Sequence, residues 1–331
     1  MIASKITDLI GNTPMLKLKM KNNDWNVFLK LEKFNPGGSM KDRMALNMIE
    51  EAEKSGQLKP GGTIIESSSG NTAIGLAIAS AIKGYHFIAV VDHHVSKEKI
   101  DMIKAYGAEI VVVGDGYKAN EVAVIEREKT AKRMSEEMEN AFFPNQADNF
   151  NNRAAYIDTL ADELINDITT INSFYAAIGT GGSACGTAMG LKKRNSNTKI
   201  NVIEPDGSIL FGGEGKPYYQ SGTGNPKDAP IPKIIDYSLI DNNYYATDKE
   251  AFNTCRFFAK KYGLLIGGSA GGVLFKALED INKKTGSGNA VVLLCDGGEK
   301  YLNNIFNDDF MIKNELIDLG VEDKLDNWLV K

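Results

Sequence analysis

Ser173-Phe174-Tyr175-Ala176-Ala177-Ile178-Gly179-Thr180-Gly181-Gly182-Ser183 is an apolar run that stops in a cluster of glycines and hydroxyl residues. The run has the length of a buried strand, and the chain from Ser183 to Lys193 has helical spacing. Strand, glycine loop and helix together make a phosphate-binding geometry. Glycines let the backbone approach, unpaired N–H groups point at the anion, and the helix dipole adds favourable potential. Thr180 and Ser183 add hydroxyl donors. The same stretch carries a competing signature. Gly179-x-Gly181-x-x-Ala184, with Glu204 ending the next apolar run, fits the fingerprint of an NAD-binding oxidoreductase. The stretch by itself leaves both open.

Outward from it, the chain repeats one pattern. Strands are expected at 27–31, 63–66, 87–91, 109–113, 200–203 and 290–294. Helices are expected at 44–54, 72–83, 97–106, about 119–139, 154–167, 183–193, 248–262 and 272–284. This alternation implies an α/β fold, with parallel twisted sheets flanked by helices and right-handed crossovers. A break near Asn145 to Asn152 divides it into two arrays. The expectation is a smaller α/β domain over 40–145, a larger cofactor-binding α/β domain over 1–39 plus 146–331, and an active site in the cleft between them. The glycine- and proline-rich stretch from Glu204 to Pro232 interrupts the rhythm, and such long irregular segments are usually either functional or disordered. Asn314 to Lys331 reads as a helical tail.

Composition narrows the field. The 331 residues are 43% hydrophobic and 24% charged, the balance of a globular chain rather than a disordered one. The net charge is -5 with no strong basic block, which argues against nucleic acid as a partner. No apolar run is long enough to span a membrane, and the first residues lack the apolar core of a signal peptide, so a cytoplasmic location is expected. Cys185, Cys255 and Cys295 lie far apart, and His86, His93 and His94 have no ligand spacing. Neither disulfides nor a metal site are expected.

Two more loops and one lysine carry chemistry. Ser67-Ser68-Ser69-Gly70-Asn71-Thr72 follows a strand and opens a helix. One polar side chain is enough to cap a helix, so this crowd of hydroxyls and amides suits a carboxylate. Gly267-Gly268-Ser269-Ala270-Gly271-Gly272 lies between the strand-like run Leu264-Leu265-Ile266 and a helix. Lys41, in Asn35-Pro36-Gly37-Gly38-Ser39-Met40-Lys41-Asp42-Arg43, sits just inside a helix start, where the dipole opposes a positive charge. A lysine with a depressed pKa is a nucleophile toward carbonyls.

Taken in order, from Ile10-Gly11-Asn12-Thr13-Pro14 to Asp296-Gly297-Gly298-Glu299-Lys300-Tyr301-Leu302, these segments resemble the cysteine synthase/cystathionine β-synthase family. Its members are pyridoxal-phosphate enzymes of fold type II, with a tryptophan synthase β-like fold. The resemblance implies that Lys41 forms the Schiff base with pyridoxal 5'-phosphate and acts as the catalytic base. It implies that Asn71 hydrogen-bonds the cofactor's ring oxygen, that Gly179, Thr180, Gly181, Gly182 and Ser183 hold its phosphate, and that Ser269 faces its pyridine nitrogen. Ser68, Ser69, Gly70, Asn71 and Thr72 would hold the substrate carboxylate with the help of Gln146, and Gly222 would lie near the substrate amine. The implied reaction is β-replacement or β-elimination on a serine- or cysteine-derived amino acid through an aminoacrylate, with small amino-acid substrates and a homodimeric enzyme.

The sequence departs from the family at several points. Ser67-Ser68-Ser69 stands where Pro-Thr-Ser is common, Asp92-His93-His94 replaces a Met-Pro pair, and the chain after Gly224 is unlike the usual loop. Gly37 to Arg43 and Val90-Val91-Asp92 resemble the branch that joins O-phosphoserine to an amino-acid amine, as a 2,3-diaminopropionate-type synthase does. Gly267 to Gly271 resembles cystathionine β-synthase. Sulfur chemistry, either cysteine synthesis or sulfide release from cysteine, is the leading expectation and the amine nucleophile the alternative. From other classes, the NAD-binding reading and a non-catalytic docking homologue stay open.

Overall fold

The computed structural model describes residues 2–93, 95, 97–114 and 123–330. In chain order the elements are β1 (Met15–Lys19), β2 (Asp24–Leu31), α1 (Lys41–Ser55), β3 (Thr63–Ser67), α2 (Asn71–Lys83), β4 (His86–Asp92) and α3 (Lys97–Ala105). Next come β5 (Glu109–Val113), α4 (Val124–Glu137), β6 (Ala141–Phe142), α5 (Phe150–Ala154), α6 (Leu160–Asp167), β7 (Ser173–Ala177), α7 (Gly182–Arg194) and β8 (Lys199–Pro205). The chain finishes with β9 (Asn242–Ala246), α8 (Asp248–Tyr262), α9 (Gly268–Asn282), β10 (Ser287–Leu294), α10 (Asp308–Lys313) and α11 (Leu319–Trp328).

Two sheets result. One has the order β1-β2-β10-β7-β8-β9 and the other β5-β4-β3-β6. Every pairing is parallel except β1 with β2, an antiparallel edge that the expected alternation did not include. Phe87 to Asp92 of β4 and Ala290 to Leu294 of β10 are buried at every position, as strands covered on both faces must be.

Helix α1 belongs to both cores. Its Met44 and Met48, with the preceding Met40, pack among the side chains around the six-stranded sheet. Ala45, Ile49 and Ala52 pack into the core of the four-stranded sheet. Gly75 of α2 permits the close approach, since a Cβ there would lie 3.1 Å from both Ala45 Cβ and Lys41 O. A buried ionic cluster also fixes the helix. Arg43 donates to Glu32 through Nε and Nη2 and to Glu163 through Nη1 and Nη2, and Lys30 lies 2.7 Å from Glu163.

Three expectations need correction. The single helix over 154–167 is two, α5 and α6, joined by a turn. Helix α7 lies so close to this segment that a Cβ at Gly186 would sit 2.2 Å from Arg153 O, and one at Gly190 would sit 2.3 Å from Ile157 O. The helix expected from Gly272 begins at Gly268, so Ser269 lies in its first turn. Leu264-Leu265-Ile266 is not a strand; Ile266 makes only an isolated bridge to Gly297. Ala119 to Val122 of the charged helix and His94 lie outside the described residues. The remaining described part of that helix is α4. Among the described residues no helix is long and apolar enough to cross a membrane, and no cluster of His, Cys, Asp and Glu could hold a metal.

Candidate active site

The carboxyl end of β10 is the hub. Met40 N donates to Cys295 O at 2.9 Å, and Ser39 bridges Asp296, which seats the first turn of α1 against this strand end. Asn71, at the start of α2, donates through Nδ2 to Asp296 Oδ2 at 2.8 Å. Ser269 Oγ lies 3.0 Å from Cys295 Sγ. Lys41, Asn71 and Ser269 thus come from the starts of three helices to one pair of residues.

Lys41 is half-buried as a residue, and desolvation of its buried ammonium pushes its pKa down, opposed by Cys295 and Asp296. Sequence reasoning anticipated this direction from the helix dipole, whereas the leading cause in the structure is desolvation. Burial also pushes the Cys295 thiol up to about 12, so it is a neutral neighbour of Ser269.

The remaining site residues join this hub through a hydrogen-bonded chain. Thr72 Oγ1 donates to Gln146 Oε1 at 2.8 Å. Gln146 N donates to Glu66 Oε2 at 3.2 Å, and Ser67 N donates to Glu66 Oε1 at 2.8 Å. Asn152 Nδ2 donates to Gln146 O at 2.7 Å and to Thr180 Oγ1 at 3.3 Å. Ser68 is buried and its Oγ accepts from Gly70 N. Ser69 Oγ accepts from Arg127 Nη1 at 3.4 Å, and Arg127 also lies 3.3 Å from Asp92.

The glycine loop is shaped for close approach. Gly181 has φ +89° and precedes the first turn of α7. A Cβ at Gly182 would fall 2.0 Å from Asn152 Oδ1, and one at Gly179 would fall 3.4 Å from Gly222 O. Gly222 therefore stands against the loop, as Thr223 Oγ1 and Gly224 N both donate to Ile178 O. Ser183 is buried in the first turn of α7. Lys41, Asn71 and Ser269 thus meet at the β10 end, while Thr72, Gln146 and Thr180 are linked through Asn152 and the glycine loop lies against Gly222.

Several participants were not singled out beforehand. Asp296 accepts from both Asn71 and Tyr301. Lys300 Nζ donates to Asn71 Oδ1 at 2.6 Å and to Gly37 O at 2.9 Å. The position of Asp296 just beyond a buried strand was the one available signal. Nothing local marks Asn152, Lys300 or Glu66.

This donor set fits pyridoxal phosphate. A glycine backbone at a helix start suits a dianion, a buried amine with lowered pKa suits a carbonyl, and a neutral hydroxyl beside a neutral thiol suits a ring nitrogen.

The comparisons agree. A family profile described as pyridoxal-phosphate dependent enzyme matches residues 6–296. The chain is 46% identical over 330 residues to a putative cysteine synthase of Sinorhizobium fredii, covering 99% of this chain and 98% of the relative. It is 38% identical to an O-acetylserine dependent cystathionine beta-synthase of Bacillus subtilis, covering 91% of this chain and 97% of the relative. Among solved structures, a hydrogen sulfide-producing enzyme from Fusobacterium nucleatum superposes with a TM-score of 0.83 at 37% identity, over 91% of this chain and 99% of that one. The dinucleotide reading, left open by the sequence, is set aside by these matches, which extend over the whole arrangement. The chain belongs to the pyridoxal-phosphate dependent enzymes, in the cysteine synthase/cystathionine β-synthase family.

Proposed function

We propose that the protein replaces or eliminates the β-substituent of a serine- or cysteine-derived amino acid, with a sulfur nucleophile or sulfide as the partner species. The observation that carries this is the convergence of Lys41, Asn71 and Ser269 on the Cys295–Asp296 strand end. Bound pyridoxal phosphate supplies the electron sink that makes the substrate's α-proton removable and its β-substituent expellable.

The protein's own residues do the rest. Ser68, Ser69, Gly70, Asn71, Thr72 and Gln146 hold the carboxylate and orient the substrate. The Lys41 amine, biased toward its neutral form by burial, takes the α-proton and later returns it. Thr180, Ser183 and the glycine backbone hold the phosphate. Ser269 meets the ring nitrogen with a hydroxyl, while the nearby carboxylate of Asp296 is engaged by Asn71 and Tyr301. A hydroxyl there does not hold the nitrogen protonated, which favours elimination over transamination. Names of similar proteins support the sulfur reading, including a putative cysteine synthase and a hydrogen sulfide-producing enzyme.

One feature favours the alternative of an O-phosphoserine donor. Arg127 places a guanidinium beside Ser69 of the carboxylate loop, where a second substrate anion would be attracted. The deciding experiment is the visible spectrum of the purified protein with O-acetylserine, O-phosphoserine and cysteine added separately, followed by sulfide or an amino acid. A band that responds to O-acetylserine or cysteine and is restored by sulfide supports the sulfur reading. A response to O-phosphoserine that only an amine restores moves the assignment to the alternative. No response to any donor overturns both.

The division into a domain at 40–145 and a domain at 1–39 plus 146–331, a cytoplasmic location and a homodimer complete the proposal. Sedimentation equilibrium at micromolar concentration tests the last of these, and a monomer would refute it.

A further inference from the structure

Asn71 carries an amide that has to face one particular way. On the family reading, its N–H group meets the cofactor's ring oxygen, so a flipped side chain would present an oxygen to an oxygen. Three groups fix its orientation. Lys300 Nζ donates to Asn71 Oδ1 at 2.6 Å, Asp296 Oδ2 accepts from Asn71 Nδ2 at 2.8 Å, and Lys300 is itself held by Gly37 O at 2.9 Å. Tyr301 OH donates to the same Asp296 oxygen at 2.7 Å, fixing the carboxylate in turn. A primary amide has two N–H donors. Asp296 takes one of them, and the other is left for a ligand.

We propose that Lys300 is a positioning residue of the cofactor site, holding the Asn71 amide in the one orientation that offers an N–H to the ring oxygen of pyridoxal phosphate. This rests on the family reading of Asn71. The geometry separates Lys300 from an ordinary surface lysine. Its ammonium spans two carbonyl oxygens on different segments, the Gly37 turn before α1 and the start of α2. Burial lowers its pKa, opposed by Asp296, Asp42, Glu299 and Cys295, so its hydrogen bonds are made in a partly desolvated setting. Lys99, its Nζ 5.8 Å from the Tyr301 ring centre, interacts electrostatically with both Asp296 and Lys300. A cation on Oδ1 also polarises the amide and makes its remaining N–H a stronger donor.

The test is a double-mutant cycle read on cofactor binding and absorbance rather than on turnover. Apoprotein of the wild type, Lys300→Met, Asn71→Ala and the double variant is titrated with pyridoxal phosphate, and Kd and the position of the visible band are recorded. Loss of a charge-assisted hydrogen bond leads us to expect a Kd about 10-fold higher in Lys300→Met, with a band shift in the same direction as in Asn71→Ala. If Lys300 acts through Asn71, the double variant is no worse than Asn71→Ala alone, whereas a merely structural role adds. Lys300→Arg can donate to both carbonyls and should return to within about twofold of the wild type. Lys300→Gln replaces Lys300→Met in the cycle if the methionine variant does not fold. A shift in Asn71→Ala with a wild-type Lys300→Met overturns the role of Lys300 and leaves the function intact. No shift in Asn71→Ala overturns the reading of Asn71 and the proposal with it.

Discussion

The backbone N–H of Met40 donates to the carbonyl of Cys295 at 2.9 Å, and Met40 O accepts from the buried hydroxyl of Tyr156 at 3.0 Å. The residue before Lys41 is thus tied through both of the peptide units that flank it, once to the end of β10 and once to the turn between α5 and α6. The direction in which Lys41 leaves the backbone is set by neighbours more than 100 residues away in sequence.

Lys41→Ala should abolish the visible band and lower turnover by at least about 10³-fold, the scale of a lost general base. In the cofactor-free protein it should not lower the melting temperature. Burial disfavours the charged ammonium in the folded apoprotein, so removing it relieves a desolvation cost. Absorbance and a steady-state assay on the cofactor-loaded protein, with thermal melts of the two apoproteins, check this; a substantial drop in the apoprotein's melting temperature would contradict the account of the lysine's environment.

Gly182→Ala should weaken phosphate binding. Its Cβ would lie 2.0 Å from Asn152 Oδ1, so either Asn152 or the start of α7 has to move. Forced overpacking of this kind costs about 1–3 kcal/mol. Because Asn152 also bridges Gln146 and Thr180, the affinity for pyridoxal phosphate and the KM for the amino acid should both worsen. Wild-type values for both would show that the loop is not confined by Asn152.

Arg43→Met should destabilise the fold by about 3–5 kcal/mol, since it leaves the buried Glu32 and the largely buried Glu163 without their main partner. Burial alone would raise the Glu163 carboxyl, but hydrogen bonds from Arg43 and Lys30 outweigh it and hold the group at about 2. A depressed carboxyl stabilises the fold above its unfolded value and loses that contribution as pH falls through the folded one. The wild type should therefore lose stability between about pH 4.5 and 2, and Arg43→Met should show a smaller loss over that window. Denaturant titrations across the range measure both.

Glu66 should have the opposite pH dependence. Burial pushes its carboxyl up to about 7, against the backbone N–H groups of Ser67 and Gln146. A raised carboxyl holds its proton longer in the folded state than in the unfolded one, so stability falls as pH rises from about 4.5 to 7. Glu66→Gln should remove that slope, which is at most about 3 kcal/mol for a shift of this size. Urea unfolding at the two ends of the range gives the answer, and an unchanged slope in the glutamine variant would assign it elsewhere.

How far the sequence could be read depended on what glycine meant at each place. Helix α8 was legible to the residue because Thr247 and Glu250 form a capping box at its start and Gly263, with φ +64°, ends it. Strand β5 was legible as an unbroken β-branched run. The start of α9 was hidden because Gly267-Gly268-Ser269-Ala270-Gly271-Gly272 looks like a loop, yet these glycines serve packing. A Cβ at Gly271 would lie 2.3 Å from Ala251 O, and one at Gly268 would lie 2.8 Å from Phe252. The edge strands β1 and β9 were missed because one face of each is wet and their residues are mixed lysine, asparagine and tyrosine. In the site, Lys41, Asn71 and the loop from Gly179 stood out through local pattern. Lys300 and Asp296 did not, because their partner Asn71 lies 229 and 225 residues away, and no local pattern encodes a pairing across that distance.

The division of α1 between two cores has a consequence for inheritance. Its methionines answer to one half of the molecule and its alanines and isoleucine to the other. A chimera that takes the four-stranded half from a relative therefore cannot be cut cleanly on either side of this helix. Whichever parent supplies α1, one of its faces meets a foreign surface, and the lysine at its tip registers the mismatch before any substrate arrives.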